Sequence, residues 1–181
     1  SEPQGATVAV NGVIKVTTPL TIDGIPSGEV LVSLKKDLYA PQDIKVVVND
    51  GEITNCTATL EQYYGTVEIK AIQGASIYVN GELKGHTAVT CNLMEGLYAV
   101  EARKESYRPH KMQVAVSKKT SQSVTLSPIP IYGQVAVQTT PVGAEIFVDG
   151  VSKGKAPNIV KDILIGSHTL LARLEGYEED V

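Results

Sequence analysis

Apolar and polar residues alternate singly along much of this chain, and three such segments share one phase. Val8 and Val10 alternate with Thr7 and Ala9, Ile77 and Val79 with Ser76 and Tyr78, and Ile146 and Val148 with Glu145 and Phe147. A period of two turns one side of a segment toward a core and the other toward water, as in a half-buried strand. Each segment stops at Asn11-Gly12, Asn80-Gly81 or Asp149-Gly150. These dipeptides accept positive φ at both central positions of a type I′ turn, so each is predicted to close a two-residue hairpin. Short return strands follow at residues 13–16, 82–85 and 151–154. Pro19 and Pro157 then end the pairing or mark an edge in the outer two units, because proline donates nothing to a ladder.

Gly28, Gly96 and Gly166 each open a further strand. Val30, Val32 and Leu34, then Tyr98, Val100 and Ala102, then His168, Leu170 and Ala172, are expected to face a core, with Ser33, Lys35, Glu101, Arg103 and Arg173 in water. These strands end at Tyr39, Tyr107 and Tyr177, where a ring can cap the core while its hydroxyl reaches backbone, in the manner of a tyrosine corner. Two more strands are expected at 44–49 and 53–60, and again at 111–116 and 122–126. Residues 158–165 carry Ile159, Ile163 and Leu164 at helical spacing but are too few for a stable helix, and read as loop or strand. Gly5-Ala6, Gly74-Ala75 and Gly143-Ala144 fall in step, as do Gly65 and Gly133, which sets a period of about 70 residues. The chain divides into residues 1–61, lacking a first strand, 62–129, complete, and 130–181, lacking its last strands. The linkers at 61–65 and 127–133, the latter stiffened by Pro128 and Pro130, are short enough for neighbours to touch, with Tyr63, Tyr64 and Tyr132 wedged between them. The uneven end units read as a fragment or trimmed form of a longer protein, with the third unit least stable.

Composition narrows the function. Across 181 residues, 43% hydrophobic and 20% charged is ordinary for a globular protein. No window reaches the roughly 18 unbroken apolar residues of a membrane span. The net charge of -4 comes from 20 acids and 16 bases scattered in both signs, which argues against nucleic-acid binding. No basic and apolar leader follows Ser1, so a signal peptide is either absent or already removed. The two cysteines fall in different repeats and read as free, small apolar residues rather than a bridge. Cys56 takes an inward strand position with Ala58 and Leu60, and Cys91 a loop or short strand. His168 stands where the sister repeats have Val30 and Tyr98, which gives it a packing role. His86 and His110 sit at turns with no acid or nucleophile beside them, so no catalytic triad can be assembled. Asp149, Asp162, Glu178, Glu179 and Asp180 lack the spacing of a calcium loop and read as solvated surface. Tyr78 and Phe147 share one outward strand position, where a ring either stacks on a sugar or packs against the next unit.

The order Gly-Ala, strand, Asx-Gly, a further glycine, then Gly, strand and Gly-Tyr resembles the PEGA domain. The third repeat carries it best, as PVGAEIFVDG, GKAP and IGSHTLLARLEGY, with Val142 where the tetrapeptide of the family's name has glutamate. The other repeats depart further, with Ile72-Gln73-Gly74-Ala75 and Ser106-Tyr107 in the second and Pro3-Gln4-Gly5-Ala6 and Leu38-Tyr39 in the first. The resemblance implies an all-β protein of tandem small antiparallel β-sandwich repeats, transthyretin-like or immunoglobulin-like. It also implies an extracytoplasmic place in a cell envelope, with no cofactor and no catalytic residue. The expected role is a non-catalytic structural or spacer protein whose partners are neighbouring domains or other envelope proteins. The alternative is a glycan- or peptidoglycan-binding module reading cell-wall glycan through Tyr78 and Phe147. Fold alone does not decide between them.

Overall fold

The computed structural model describes residues 1–178. Glu179 and Asp180, grouped above with the surface carboxylates, and Val181 lie outside the described residues. The described chain is all strand and turn, without a helix. The second repeat shows the complete unit: β5 (Tyr64–Ala71), β6 (Ser76–Val79), β7 (Glu82–His86), β8 (Ala88–Met94), β9 (Gly96–Arg103), β10 (Tyr107–Arg108), β11 (His110–Val116) and β12 (Ser121–Leu126). One sheet runs β11-β9-β6-β7 and the other β12-β5-β8, and β12 pairs with β5 in parallel. Val67, Ile69, Ile77, Val100 and Leu126 are sealed between them, each at most 1% exposed. An immunoglobulin constant domain keeps its first and second strands in one sheet. Here β5 and β6 lie in opposite sheets, which departs from that arrangement.

The outer repeats are this unit with pieces missing. In the first, β1 (Thr7–Val10), β2 (Val13–Thr17), β3 (Gly28–Lys35) and β4 (Gln42–Val48) form the sheet β2-β1-β3-β4, equivalent to β7-β6-β9-β11. Of the opposing sheet only one parallel bridge remains, Glu2 with Thr59. In the third, β13 (Ile129–Pro130) leads into β14 (Tyr132–Val137), followed by β15 (Glu145–Val148), β16 (Val151–Lys155), β17 (Asn158–Leu164) and β18 (Leu170–Arg173). Its sheets are β14-β17 and β16-β15-β18.

All three hairpins turn as the sequence demands, with φ of 48° and 80° at Asn11-Gly12, 48° and 84° at Asn80-Gly81, and 50° and 78° at Asp149-Gly150. Their return strands β2, β7 and β16 are each irregular at the same step and each forms a sheet edge. Such bulges blunt edge-to-edge pairing.

The expectations for residues 53–60 and for Tyr132 are corrected, while Cys91 and residues 158–164 take the strand alternative. Residues 53–60 do not form a strand, and Cys56 is exposed instead of inward, because of their backbone only Thr59 is bridged, to Glu2. Cys91 lies within β8, a strand of seven residues. Residues 158–164 form a strand, β17, with Asp162 at φ 57° where the register slips opposite β14. Tyr64 and Tyr132 begin strands instead of lying in linkers, and Tyr132 is 56% exposed.

The exposed surface of 11724 Å² compares with about 8,500 Å² for one compact globule of this mass, as three small units in series require. Gly65 is the tightest backbone approach. A Cβ there would overlap the Ser117 carbonyl and lie 2.9 Å from Val116 Cγ1, whereas at Gly133 the nearest atom is 3.9 Å away. Gly65→Ala is therefore expected to cost about 1–3 kcal/mol and Gly133→Ala close to nothing, read from denaturant midpoints. Gly150 has open space around its Cβ position, so Gly150→Val tests backbone strain alone and should cost about 1–3 kcal/mol. An unchanged midpoint for Gly150→Val would show that the positive φ carries no constraint.

Candidate functional site

The most repeated polar constellation belongs to the hairpin turns. Asn80 donates its backbone N–H to the Ala99 carbonyl at 2.7 Å, and its side-chain oxygen accepts the Ala99 N–H at 2.8 Å. Asn11 does the same with Leu31 at 2.8 Å in both directions, and Asp149 with Thr169 at 2.9 and 3.0 Å. The Asx residue thus satisfies a backbone pair of the strand that returns about 20 residues later, which the turn chemistry alone does not reveal. Gly28, Gly96 and Gly166, at φ of 127°, 159° and 144°, stand just before those paired residues.

Tyr78 and Phe147 do stand on the outer face of the same sheet position, each half-buried. Both rings are covered. The Arg103 guanidinium lies 4.4 Å from the Tyr78 centroid and donates twice to Glu101 at 2.8 Å, while Lys111 reaches Glu101 at 3.3 Å. Arg103 foremost, with Lys111, holds the Glu101 carboxyl below its usual range. Arg173 lies 5.4 Å from the Phe147 centroid. Cation and ring stabilise each other, and the ring face that a sugar would take is the one the guanidinium occupies.

The histidines have partners after all. His110 Nδ1 accepts the Ser127 N–H at 2.8 Å, and His86 Nδ1 lies 3.2 Å from Ser76 Oγ. His168 is the best placed: its Nδ1 faces Asp149 Oδ2 at 2.6 Å and its Nε2 faces the Leu164 carbonyl. Both ring nitrogens meet acceptors, so the ring is satisfied when it is an imidazolium. The packing role expected from Val30 and Tyr98 is replaced by this polar clamp, which joins the hairpin turn to the end of β17. Its signal was the aspartate at 149, the acid that replaces asparagine in the repeat carrying histidine. Among the described residues no group of three His, Cys, Asp or Glu converges as a metal site would need. Both cysteines are unbridged, and burial pushes the Cys91 thiol up.

The tyrosines serve the joints between repeats. Tyr39 packs on the first core and meets Tyr64 edge-on, centroids 6.0 Å apart and planes at 73°. Tyr107 is half-buried and its backbone pairs with Pro130 across β10 and β13. Tyr177, expected to cap a core, is 63% exposed. At the first joint Tyr63 donates to the Leu38 carbonyl at 2.9 Å and accepts from Glu95 at 3.4 Å. At the second, Ile131 donates to Ser106 at 2.9 Å and accepts from Ile165 at 2.9 Å. Ser106 Oγ also donates to the Ile165 carbonyl. Lys119 bonds Glu61 at 2.8 Å and Lys118 lies 5.2 Å over Tyr63, adding charge contacts at the first joint.

The clamp makes the third repeat sensitive to pH. The hydrogen bond to Asp149 and then the Leu164 carbonyl raise the His168 pKa above its usual 6.5, and the bond from His168 holds Asp149 below its usual 3.8. A raised histidine stabilises fully below its unfolded pKa and loses that contribution as pH rises through the folded value. A lowered aspartate stabilises above its unfolded pKa and loses that as pH falls through the folded one. The third repeat should be most stable between about pH 4 and pH 6.5 and weaken as pH rises through the raised His168 value. Protection of β15 and β18 amides measured across that range should fall, and His168→Gln should flatten the profile.

A family model described as the PEGA domain matches residues 1–63, 65–129 and 132–180. Among solved structures, the Bacillus anthracis TIE protein is similar at 17% identity and a TM-score of 0.45, covering 98% of this chain and 43% of its own. The chain therefore spans less than half the length of that protein. No curated protein matches the sequence. With matches over nearly its whole length, each on a repeat carrying the Gly-Ala, Asx-Gly and closing-tyrosine positions described above, the chain belongs to the PEGA domain family.

Proposed function

We propose that this chain is a non-catalytic spacer of a cell surface, an array that holds neighbouring domains or envelope proteins at a set distance. The observation that carries this reading is the identity of its two joints. At each, one linker residue bonds a carbonyl of the preceding corner and the residue before the next repeat's strand glycine. Backbone bonds made twice at equivalent positions fix the angle between units, and a fixed angle turns a chain of sandwiches into a stiff strut. The Asx pairs, the His168 clamp and the linker bonds described above serve turns and joints. Membership of the PEGA domain family supports the surface setting.

Small-angle scattering tests the strut. A radius of gyration near roughly 27 Å is expected for three units in line, against about 16 Å for a single globule. A value near the lower figure, or one that varies with salt through loosened joints, would overturn the reading. Glycan arrays and peptidoglycan pull-down test the rival module: no binding is expected, and capture lost on Tyr78→Ala and Phe147→Ala would replace the spacer with a glycan reader.

A further inference from the structure

The two joints are alike in backbone but not in what stands behind them. At the second joint one peptide group, between Leu164 and Ile165, is held from both sides. Its N–H donates to the Ile131 carbonyl of the linker at 2.9 Å, and its oxygen faces His168 Nε2. The next carbonyl, that of Ile165, accepts from Ser106 Oγ at the corner of the second repeat. His168 is anchored in turn through Nδ1 to Asp149 at 2.6 Å, and Asp149 Oδ1 accepts the Thr169 N–H at 3.0 Å. The clamp and the linker bond thus meet on one planar peptide, and whatever frees its oxygen also tilts its N–H. At the first joint the equivalent peptide, between Met94 and Glu95, donates to Tyr63 at 3.4 Å. The residue in step with His168 there is Tyr98, which packs on the second core, and the one in step with Asp149 is Asn80. The acid and the imidazole occur together in the third repeat alone.

We infer that His168 is a pH-operated lock on the second joint: as an imidazolium it holds the angle between the second and third repeats, and as a neutral ring it releases that angle. A neutral imidazole has one N–H for two acceptors. The ionised Asp149 is the stronger acceptor and keeps the proton on Nδ1, while the proton of Nε2 leaves to solvent, to which His168 is exposed. Nε2 then presents a lone pair to the Leu164 oxygen, and the two repel. The peptide turns away from the ring and carries its N–H out of line with Ile131. Among the described residues the charge acting on the ring is that of Asp149 from the hairpin. Lys153 of β16 acts on Asp149, β17 presents the Leu164 carbonyl, and the second repeat reaches the joint through the neutral hydroxyl of Ser106. Asp149 and then the Leu164 carbonyl raise the His168 pKa above 6.5, so the lock is closed below that value and opens as pH rises through the raised one. Such a hinge rests on the strut proposed above, whose joints otherwise hold one angle.

Residual dipolar couplings of the full 181-residue chain, weakly aligned in a neutral medium, read the angle at each joint. At about pH 5, below the reference value of histidine and above that of aspartate, the second and third repeats should share one alignment tensor. At about two pH units above the His168 midpoint, taken from its own ring signals, the tensor of the third repeat should shrink by at least a third while the first and second repeats stay joined. Over the same range the Ile165 amide should lose at least fivefold in protection factor and the Glu95 amide nothing. His168→Gln should leave the second joint insensitive to pH. Asp149→Asn keeps the turn bond that Asn11 and Asn80 make but removes the charge, and should move the release to lower pH. One tensor shared by all repeats at every pH overturns the lock and leaves the strut standing, whereas tensors unrelated at every pH overturn the strut and the lock with it. Couplings that cease to fit the third repeat's own sandwich above the midpoint also overturn the lock, since His168 then holds the unit and not the joint.

Discussion

The pairing of each hairpin with its distant third strand is the constraint on which the repeat depends. The two strands of a hairpin meet through a two-residue turn, but β1 must also find β3, β6 must find β9, and β15 must find β18, across about 20 residues of intervening chain. A one-residue slip there would turn every inward side chain to water. The Asx residue at the turn prevents it by using both its backbone N–H and its side-chain oxygen on one residue of the third strand: Leu31, Ala99 or Thr169. Each such bond is worth only about 1 kcal/mol net, but the two together are satisfied in one register alone. Positive φ at the same residue is what aims the side chain across the turn, so Asn or Asp is selected twice over, for its backbone tolerance and for its oxygen.

That double role explains which parts of the fold were legible. Turn positions, the two strands around each turn and the third strand could be read because they are local or alternate cleanly. The second sheet could not be read as well. β8 carries the run AVTCNLM, in which Thr90 and Asn92 are exposed and Val89, Cys91 and Leu93 face in, a correct alternation hidden by its position directly after a strand end. Residues 53–60 alternate just as well and yet form no strand, because a strand is a property of a pair and only the bridge from Thr59 to Glu2 is made there. Sequence pattern reports what a segment can pair with, not whether the partner is present.

The aromatic positions show the same limit in side-chain terms. Tyr78 and Phe147 were placed on the correct outward face, but what covers that face comes from Arg103 and Arg173, two strands away in sequence and opposite Ser76 and Glu145 in the ladder. The charged residues were legible only as solvated. In the structure Arg103 links a ring to Glu101, whose side chain is only 13% exposed, so the outer face of the second repeat is a closed network and not a row of independent charges. The first repeat has Ala9 and Lys35 at these positions and no such network, which leaves its hairpin held by the Asn11 bonds without a ring beside them.

Why the two joints agree despite unlike linkers follows from where their bonds come from. Tyr63 and Ile131 share no side-chain chemistry, and one linker has two prolines while the other has none. What they share is a main-chain N–H and carbonyl aimed at the same two places, the residue of positive φ at the preceding corner (Leu38 at 71°, Ser106 at 66°) and the residue before the next strand glycine. Positive φ turns the corner carbonyl outward, where the linker can reach it. Gly176, at 83°, holds the same place in the third repeat. Geometry set by backbone survives substitution of side chains, so the surfaces, ions and rings of these repeats differ from one to the next while the same main-chain bonds recur at both joints.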